Sequence, residues 1–227
     1  MCNLYDVDPE QVNALFDRIA EYDDAMRDWT TQVFPKMDAP VVLLVDDKPQ
    51  VSLLRFGLIP KFSKGQPKQP LNNARVEKLS SWPWKTSVGQ FCAIPMTSFY
   101  EFSYWGEQPG HKLKFSFPES RSFTAGIYNG KSMTMLTRPA CESMMEMGHH
   151  RMPLFIEPDS VETWIASQEK NVDACYDTLR SIAIDPEFEC DSCGQMKDGW
   201  QKRINGRIKK RDEQLALIEE HGALGID

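Results

Sequence analysis

Between residues 40 and 137 the chain is a succession of short apolar runs separated by polar breaks. The runs "PVVLLV" (40–45), "VSLLRFGLI" (51–59), "FCAIP" (91–95), "KLKFSF" (112–117), "SFTAGIY" (122–128) and "SMTMLT" (132–137) are all strand-length and rich in β-branched and aromatic residues. The first two flank the polar segment "DDKPQ", the arrangement of a β-hairpin. "KFSKGQPKQP" (61–70) has the Gly/Pro/Lys content of a loop. Helical pattern stands outside this region. Asp8 can cap a helix and Pro9 fits its first position. Val12, Leu15, Phe16 and Ile19 then recur at helical spacing, which predicts a helix to about Thr30. "PDSVETWIAS" (158–167) predicts another, capped by Asp159 or Ser160 with Glu162 nearby. Helix, many strands with short connections, then helix is the order of an α+β domain built on a largely antiparallel sheet or barrel.

A chain of 227 residues accommodates one sizeable domain with an appendage, or two small domains. The composition changes after about residue 168, so the expected division is 1–167 for the main domain and 168–227 for a C-terminal extension. In that extension "KRINGRIKKR" (202–211) holds six basic residues, and the helical pattern that follows is closed by Gly222. The basic run reads as a solvated helix face, or as an additional contact to DNA. A hydrophobic content of 41% supports a packed core. The net charge of −7 excludes a generally basic nucleic-acid binder, so any polyanion site must be a local patch.

No apolar run approaches the roughly 18 residues of a membrane span. No basic-then-apolar signal pattern opens the chain. The expectation is a soluble, cytoplasmic, monomeric protein without a membrane partner, its six cysteines mostly reduced. Cys190 and Cys193 form a single C-x-x-C pair. A zinc site would need two further ligands, for which Cys175 and His221 are the candidates. Neither a metal nor a cofactor is expected.

Four segments carry candidate chemistry. Cys2 follows the initiator methionine. Once Met1 is removed, it presents an α-amine with a reference pKa near ~8 and a thiol near ~8.5 on one residue. Alternatively it is a frayed terminal residue. In "LNNARVE" (71–77), Arg75 offers a fork for phosphate, unless the segment is a solvated loop. In "SFYEF" (98–102), strand alternation puts Glu101 on the face of Phe99, with Tyr100 and Phe102 opposite. A carboxyl among aromatic rings suits a general acid, and the plainer reading is a glutamate on a wet face. In "GHHRMP" (148–153), His149, His150 and Arg151 stand together, a grouping suited to anion binding or proton transfer.

Their order along the chain resembles that of the SRAP family, the SOS-response-associated peptidases or abasic-site-processing proteins. That pattern runs M-C, W-G-L-I-P, N-A-R, F-Y-E-W, A-G-L-W and H-x-R-M-P. Its counterparts here are Met1-Cys2, "RFGLIP" (55–60), Asn73-Ala74-Arg75, "FYEF" (99–102), "AGIY" (125–128) and "HHRMP" (149–153). The resemblance covers about residues 2–167. The departures are Phe56 and Phe102 in place of tryptophans, Met96-Thr97-Ser98 in place of A-D-G, and Asn3 where many members have glycine.

The resemblance implies a compact α+β domain around a barrel-like sheet. It implies binding of single-stranded DNA and a covalent link to abasic sites through Cys2, by a Schiff base that closes to a thiazolidine. Strand cleavage by β-elimination and self-removal of Met1 are further implied activities. Carried over by motif, the site residues are Cys2, Asn73, Glu101 and His149, with His150 at the variable position. Arg75 and Arg151 would hold phosphates. Phe56 and Phe62, with Lys61 and Lys64, would form a stacking and charge-neutralising platform. Two other readings use the same residues. Cys2 and His149 could form the thiol–imidazole pair of a peptidase acting on other proteins. The chain could equally be a non-covalent single-stranded-DNA-binding module.

Overall fold

A computed structural model of the chain describes residues 2–8, 31–61, 67–117, 122–167 and 171–226. The helix expected over 9–30, and Phe62 and Lys64 of the expected DNA platform, lie outside the described residues.

The apolar runs form two sheets. The larger contains β3 (Asp38–Val45), β4 (Lys48–Phe56), β5 (Asn73–Arg75), β6 (Phe91–Met96), β9 (Ser122–Asn129), β10 (Ser132–Pro139), β11 (Arg151–Pro153), β12 (Phe155–Ile156) and β13 (Ala183–Ile184). The smaller has the order β14-β8-β7-β1-β2, from β1 (Tyr5–Asp6), β2 (Gln32–Val33), β7 (Ser98–Phe102), β8 (His111–Ser116) and β14 (Glu189–Gln195). In the larger sheet β10 pairs with both β4 and β9, so β10, β4, β3, β6 and β9 close a ring. The β4–β10 seam is parallel and only Arg55 and Phe56 take part from β4, so the ring is barrel-like without being a regular barrel. The fold is the expected α+β arrangement, mainly antiparallel.

The β3–β4 hairpin turns more tightly than the polar segment implies. Val45 pairs with Lys48, leaving only Asp46 and Asp47 in the turn, at φ of 48° and 59°. Positive φ at both positions is what a two-residue hairpin turn needs to match strand twist, and aspartate tolerates it. Pro49 therefore lies inside β4, at the end remote from β10, where a missing N–H is tolerated.

Four helices are described: α1 (Glu142–Glu146), α2 (Val161–Ala166), α3 (Val172–Ile182) and α4 (Ile204–His221). A 3-10 turn over Pro158–Ser160 leads into α2. Neither Asp159 nor Ser160 caps α2 by its side chain; the 3-10 turn supplies an acceptor for the first helical donor, Val161 N–H donating to the Pro158 carbonyl. No helix among the described residues is long and apolar enough to cross a membrane.

Aromatic packing joins the sheets. Phe99 of β7 stacks on Phe115 of β8 at 4.9 Å and meets Phe155 of β12 at 5.8 Å. Each such contact adds roughly 0.5–1.5 kcal/mol beyond area burial. Residues beyond 167 belong to the same sheets, since β13 pairs with β12 and β14 with β8. The final helix α4 then crosses back over the domain. Trp200 packs on Gly110, where an added Cβ would come within 2.5 Å of the indole ring.

Candidate active site

The chain's start is the second strand from one edge of the smaller sheet, not a frayed end. Tyr5 and Asp6 pair with Phe99 and Ser98 of β7, and Tyr100 N–H donates to the Leu4 carbonyl at 3.1 Å. Asp6 anchors this segment. Its carboxylate accepts from Ser98 Oγ at 2.7 Å, Tyr100 OH at 2.8 Å and Gln32 Nε2 at 3.2 Å, and pairs with Lys114 Nζ at 3.0 Å. Burial alone would raise its pKa, but these donors outweigh burial and hold it below the usual carboxylate value.

Cys2 is consequently held on both sides. It is 1% exposed, and its Sγ–H donates to the Leu4 carbonyl at 3.4 Å. Its own carbonyl accepts from Asn73 Nδ2 at 2.7 Å and Asn72 Nδ2 at 3.3 Å. Asn73 stands on β5, fixed by parallel pairing with β10 at Met135. Asn72 also donates to Asn3 Oδ1. Burial first, and the Glu101 carboxylate second, push the Cys2 thiol up to about 12. At neutral pH the sulfur is a thiol.

Glu101 takes the inward face of β7, as alternation predicts. It is 5% exposed, while Phe102 on the opposite face is 39% exposed. The wet-face alternative does not describe it. His149 Nε2 lies 3.4 Å from Glu101 Oε2, and His149 Nδ1 lies 3.0 Å from the Phe102 carbonyl. A carbonyl only accepts, so Nδ1 carries a proton. In the neutral imidazole Nε2 is then an acceptor facing a carboxyl oxygen, and the pair has room for one shared proton. Burial drives His149 well below the usual histidine range. His150 stacks on it at 5.0 Å, and burial lowers its pKa to about 2. Gly148 permits the close approach that places both rings, since a Cβ there would meet Ser103 Oγ and the Trp105 carbonyl at 2.3 Å.

Of this group Asn3, Glu101 and His150 line a cleft of about 540 Å³, while Cys2, Asn73 and His149 lie buried behind it. Arg75, Lys112, Arg203, Arg207 and Lys210 line it, and among the described residues Glu101 is its one acidic residue. Phe34, Tyr100, Phe102 and Tyr104 add aromatic surface, and Phe34 is 45% exposed.

Several expected contacts fall elsewhere. Phe56 cannot stack on a base: β4 turns it into the core, 0% exposed, with Tyr5 edge-on at 5.3 Å. Arg151 cannot hold a DNA phosphate. It is 1% exposed and grips Glu77 with two nitrogens at 2.9 and 3.0 Å, as well as Thr137 O and Gln214 Oε1. Lys61 lines a separate depression with Arg55 and Lys131. Arg75 does line the cleft.

Sequence reasoning missed Asn72, Phe34 and Lys112. Asn72 had a signal in its adjacency to Asn73; Phe34 and Lys112 had none. The basic run did signal Arg203, Arg207 and Lys210. Among the described residues, no group of three or more His, Cys, Asp or Glu is placed to hold a metal ion.

A family model described as SOS response associated peptidase (SRAP) matches residues 1–193. The chain belongs to the SRAP family. The match carries past residue 167 and ends within β14, leaving α4 beyond it. No curated protein gives a match. Solved structures share the SRAP chain's fold. A protein from Bordetella bronchiseptica superposes with TM-score 0.66 at 16% identity, covering 85% of this chain and all of that one. A phage-related protein from the same organism gives 0.63 at 18%, covering 86% and 94%. A protein from Bacteroides thetaiotaomicron gives 0.66 at 16%, covering 88% and 94%.

Proposed function

We propose that this SRAP protein captures abasic sites in single-stranded DNA by forming a thiazolidine through Cys2. The observation that carries this reading is the clamping of Cys2 by Asn73, beside the Glu101–His149 pair and at the edge of a cationic, aromatic cleft. Cations and exposed rings together suit a flexible phosphodiester strand with unstacked bases.

The chemistry starts with hydrolysis of the Met1–Cys2 peptide bond: one water adds across it, leaving a methionine carboxylate and the free α-amine of Cys2. The freed amine adds to the open-chain aldehyde of the abasic sugar, and water leaves to give an imine. The thiol then adds across the C=N bond: a C–S bond forms, the thiol proton ends on nitrogen, and a five-membered ring closes. One water is lost from amine and aldehyde to ring. Holding amine and thiol on one immobile residue gives ring closure an intramolecular advantage. With the thiol pushed up to about 12, the amine is the first nucleophile. Glu101 supplies the proton that opens the sugar and helps expel water, and His149 relays it. β-Elimination of the 3′ phosphate from the imine is the competing, strand-cleaving exit. Removal of Met1 by the protein itself would be a third use of the same groups.

A buried thiol with so high a pKa is poorly suited to the thiolate–imidazole pair of a peptidase acting on other proteins. The test mixes protein confirmed to start at Cys2 with an oligonucleotide carrying one abasic site, followed by a denaturing gel and intact mass. The expected product is a heat-stable adduct at the summed masses less one water, absent for Cys2→Ala and after acetylation of the α-amine. No adduct from such protein would overturn the covalent reading. Peptide hydrolysis that survives acetylation would favour the peptidase.

A further inference from the structure

We infer that the C-terminal helix α4, which lies outside the family match, is the second phosphate-binding wall of the cleft, gripping the backbone of the single strand. The inference rests on the reading that the cleft takes DNA. It adds where the strand is held and by which residues.

The chain carries 26 basic and 33 acidic side chains, so its overall field repels a polyanion. Attraction must come from a local excess. Among the described residues of the cleft that excess is five cations against Glu101, and three of the five, Arg203, Arg207 and Lys210, come from α4 and the turn before it. Without them Arg75 and Lys112 remain among the described residues, both on the sheet side.

Helical spacing explains how one segment supplies three. Positions 203, 207 and 210 are related as i, i+4 and i+7 and share one face. Gln214 continues that stripe and is buried against Arg151. Arg207 lies over the Tyr104 ring at 4.6 Å and Arg211 over Trp105 at 5.5 Å, which fixes the helix beside the cleft mouth. Arg203 and Lys210 stay exposed, their charges available to a ligand. Lys202 and Lys209 point away from the stripe and do not line the cleft.

The test measures binding of an oligothymidine without any abasic site, as a function of salt. Wild type is compared with the double variants Arg203→Ala/Lys210→Ala and Lys202→Ala/Lys209→Ala. Both remove the same charge from exposed positions, so melting temperatures should match wild type. If both cleft cations contact phosphates, the first variant binds more weakly and its log–log salt slope is shallower by about 1.4, at about 0.7 per contact. The second variant keeps nearly the wild-type slope. Equal losses in the two variants, or an unchanged slope in the first, would overturn the inference while leaving the DNA reading intact. Absence of salt-dependent binding by wild type would overturn both.

Discussion

At the scale of single residues, the site depends on two buried relationships. One is the hold of Asn73 on the Cys2 carbonyl, which uses Nδ2 and leaves Oδ1 buried with no hydrogen-bond partner. An acceptor so placed suits the α-amine of Cys2 once Met1 is gone. The other is the contact of His149 Nε2 with the Glu101 carboxyl at 3.4 Å, His149 Nδ1 being held by the Phe102 carbonyl. Glu101→Gln keeps shape and removes the transferable proton. Adduct formation by that variant is expected to slow by about 10²–10⁴-fold, the range of a general acid–base contribution. Single-turnover kinetics across pH measure it, and a loss under tenfold with an unchanged pH profile would remove Glu101 from the proton path.

At the scale of elements, Arg151 has a role its motif did not announce. Its guanidinium ties β11 to Glu77, to the β10 backbone and to Gln214 on α4. A histidine–arginine pair in sequence suggested an anion site, but the arginine is the strut behind it. Removing one partner of a buried pair leaves the other uncompensated, at a cost of about 3–5 kcal/mol. Arg151→Ala should lower stability by that amount, read from urea unfolding. Arg151→Lys should recover only part, since an ammonium cannot reproduce the two-pronged contact. If Arg151→Ala weakened DNA binding with stability unchanged, the phosphate role would be reinstated. The β7 strand makes the opposite case: period-two alternation alone placed Glu101 beside Phe99, because a strand offers only two faces.

At the scale of the whole molecule, stability should fall in mild acid. His150 has a folded pKa of about 2, against about 6.5 for an unfolded histidine. Between those values the unfolded chain binds a proton that the folded ring does not, so stability is complete above about pH 6.5 and declines as pH drops below it. His149, lowered in the same direction by burial, adds to the effect. Asp6 contributes in a lower window: its stabilisation is present above the unfolded value near ~3.9 and lost as pH falls through its lower folded pKa. Urea midpoints should therefore drop between about pH 7.5 and 5, and less for His150→Gln than for wild type. Equal slopes would mean that His150 is solvated in solution.

The sequence by itself determined the longer strands of the larger sheet, the α+β class and the family, and it singled out Cys2, Asn73, Glu101 and His149, which the structure brings together. Local periodicity and short ordered motifs carry that information. It singled out Arg75, which lines the cleft, and flagged the basic run, without saying which way the run would face. Only the tertiary structure decided that Phe56 and Arg151 are interior, that Phe34 and Lys112 meet at the cleft, and that α4 returns to wall it. An aromatic or charged residue reads the same whether it is buried or exposed. Its setting is decided by partners far along the chain, as Gln214 is for Arg151 across 63 residues, and chain closure over such distances leaves no local pattern to read.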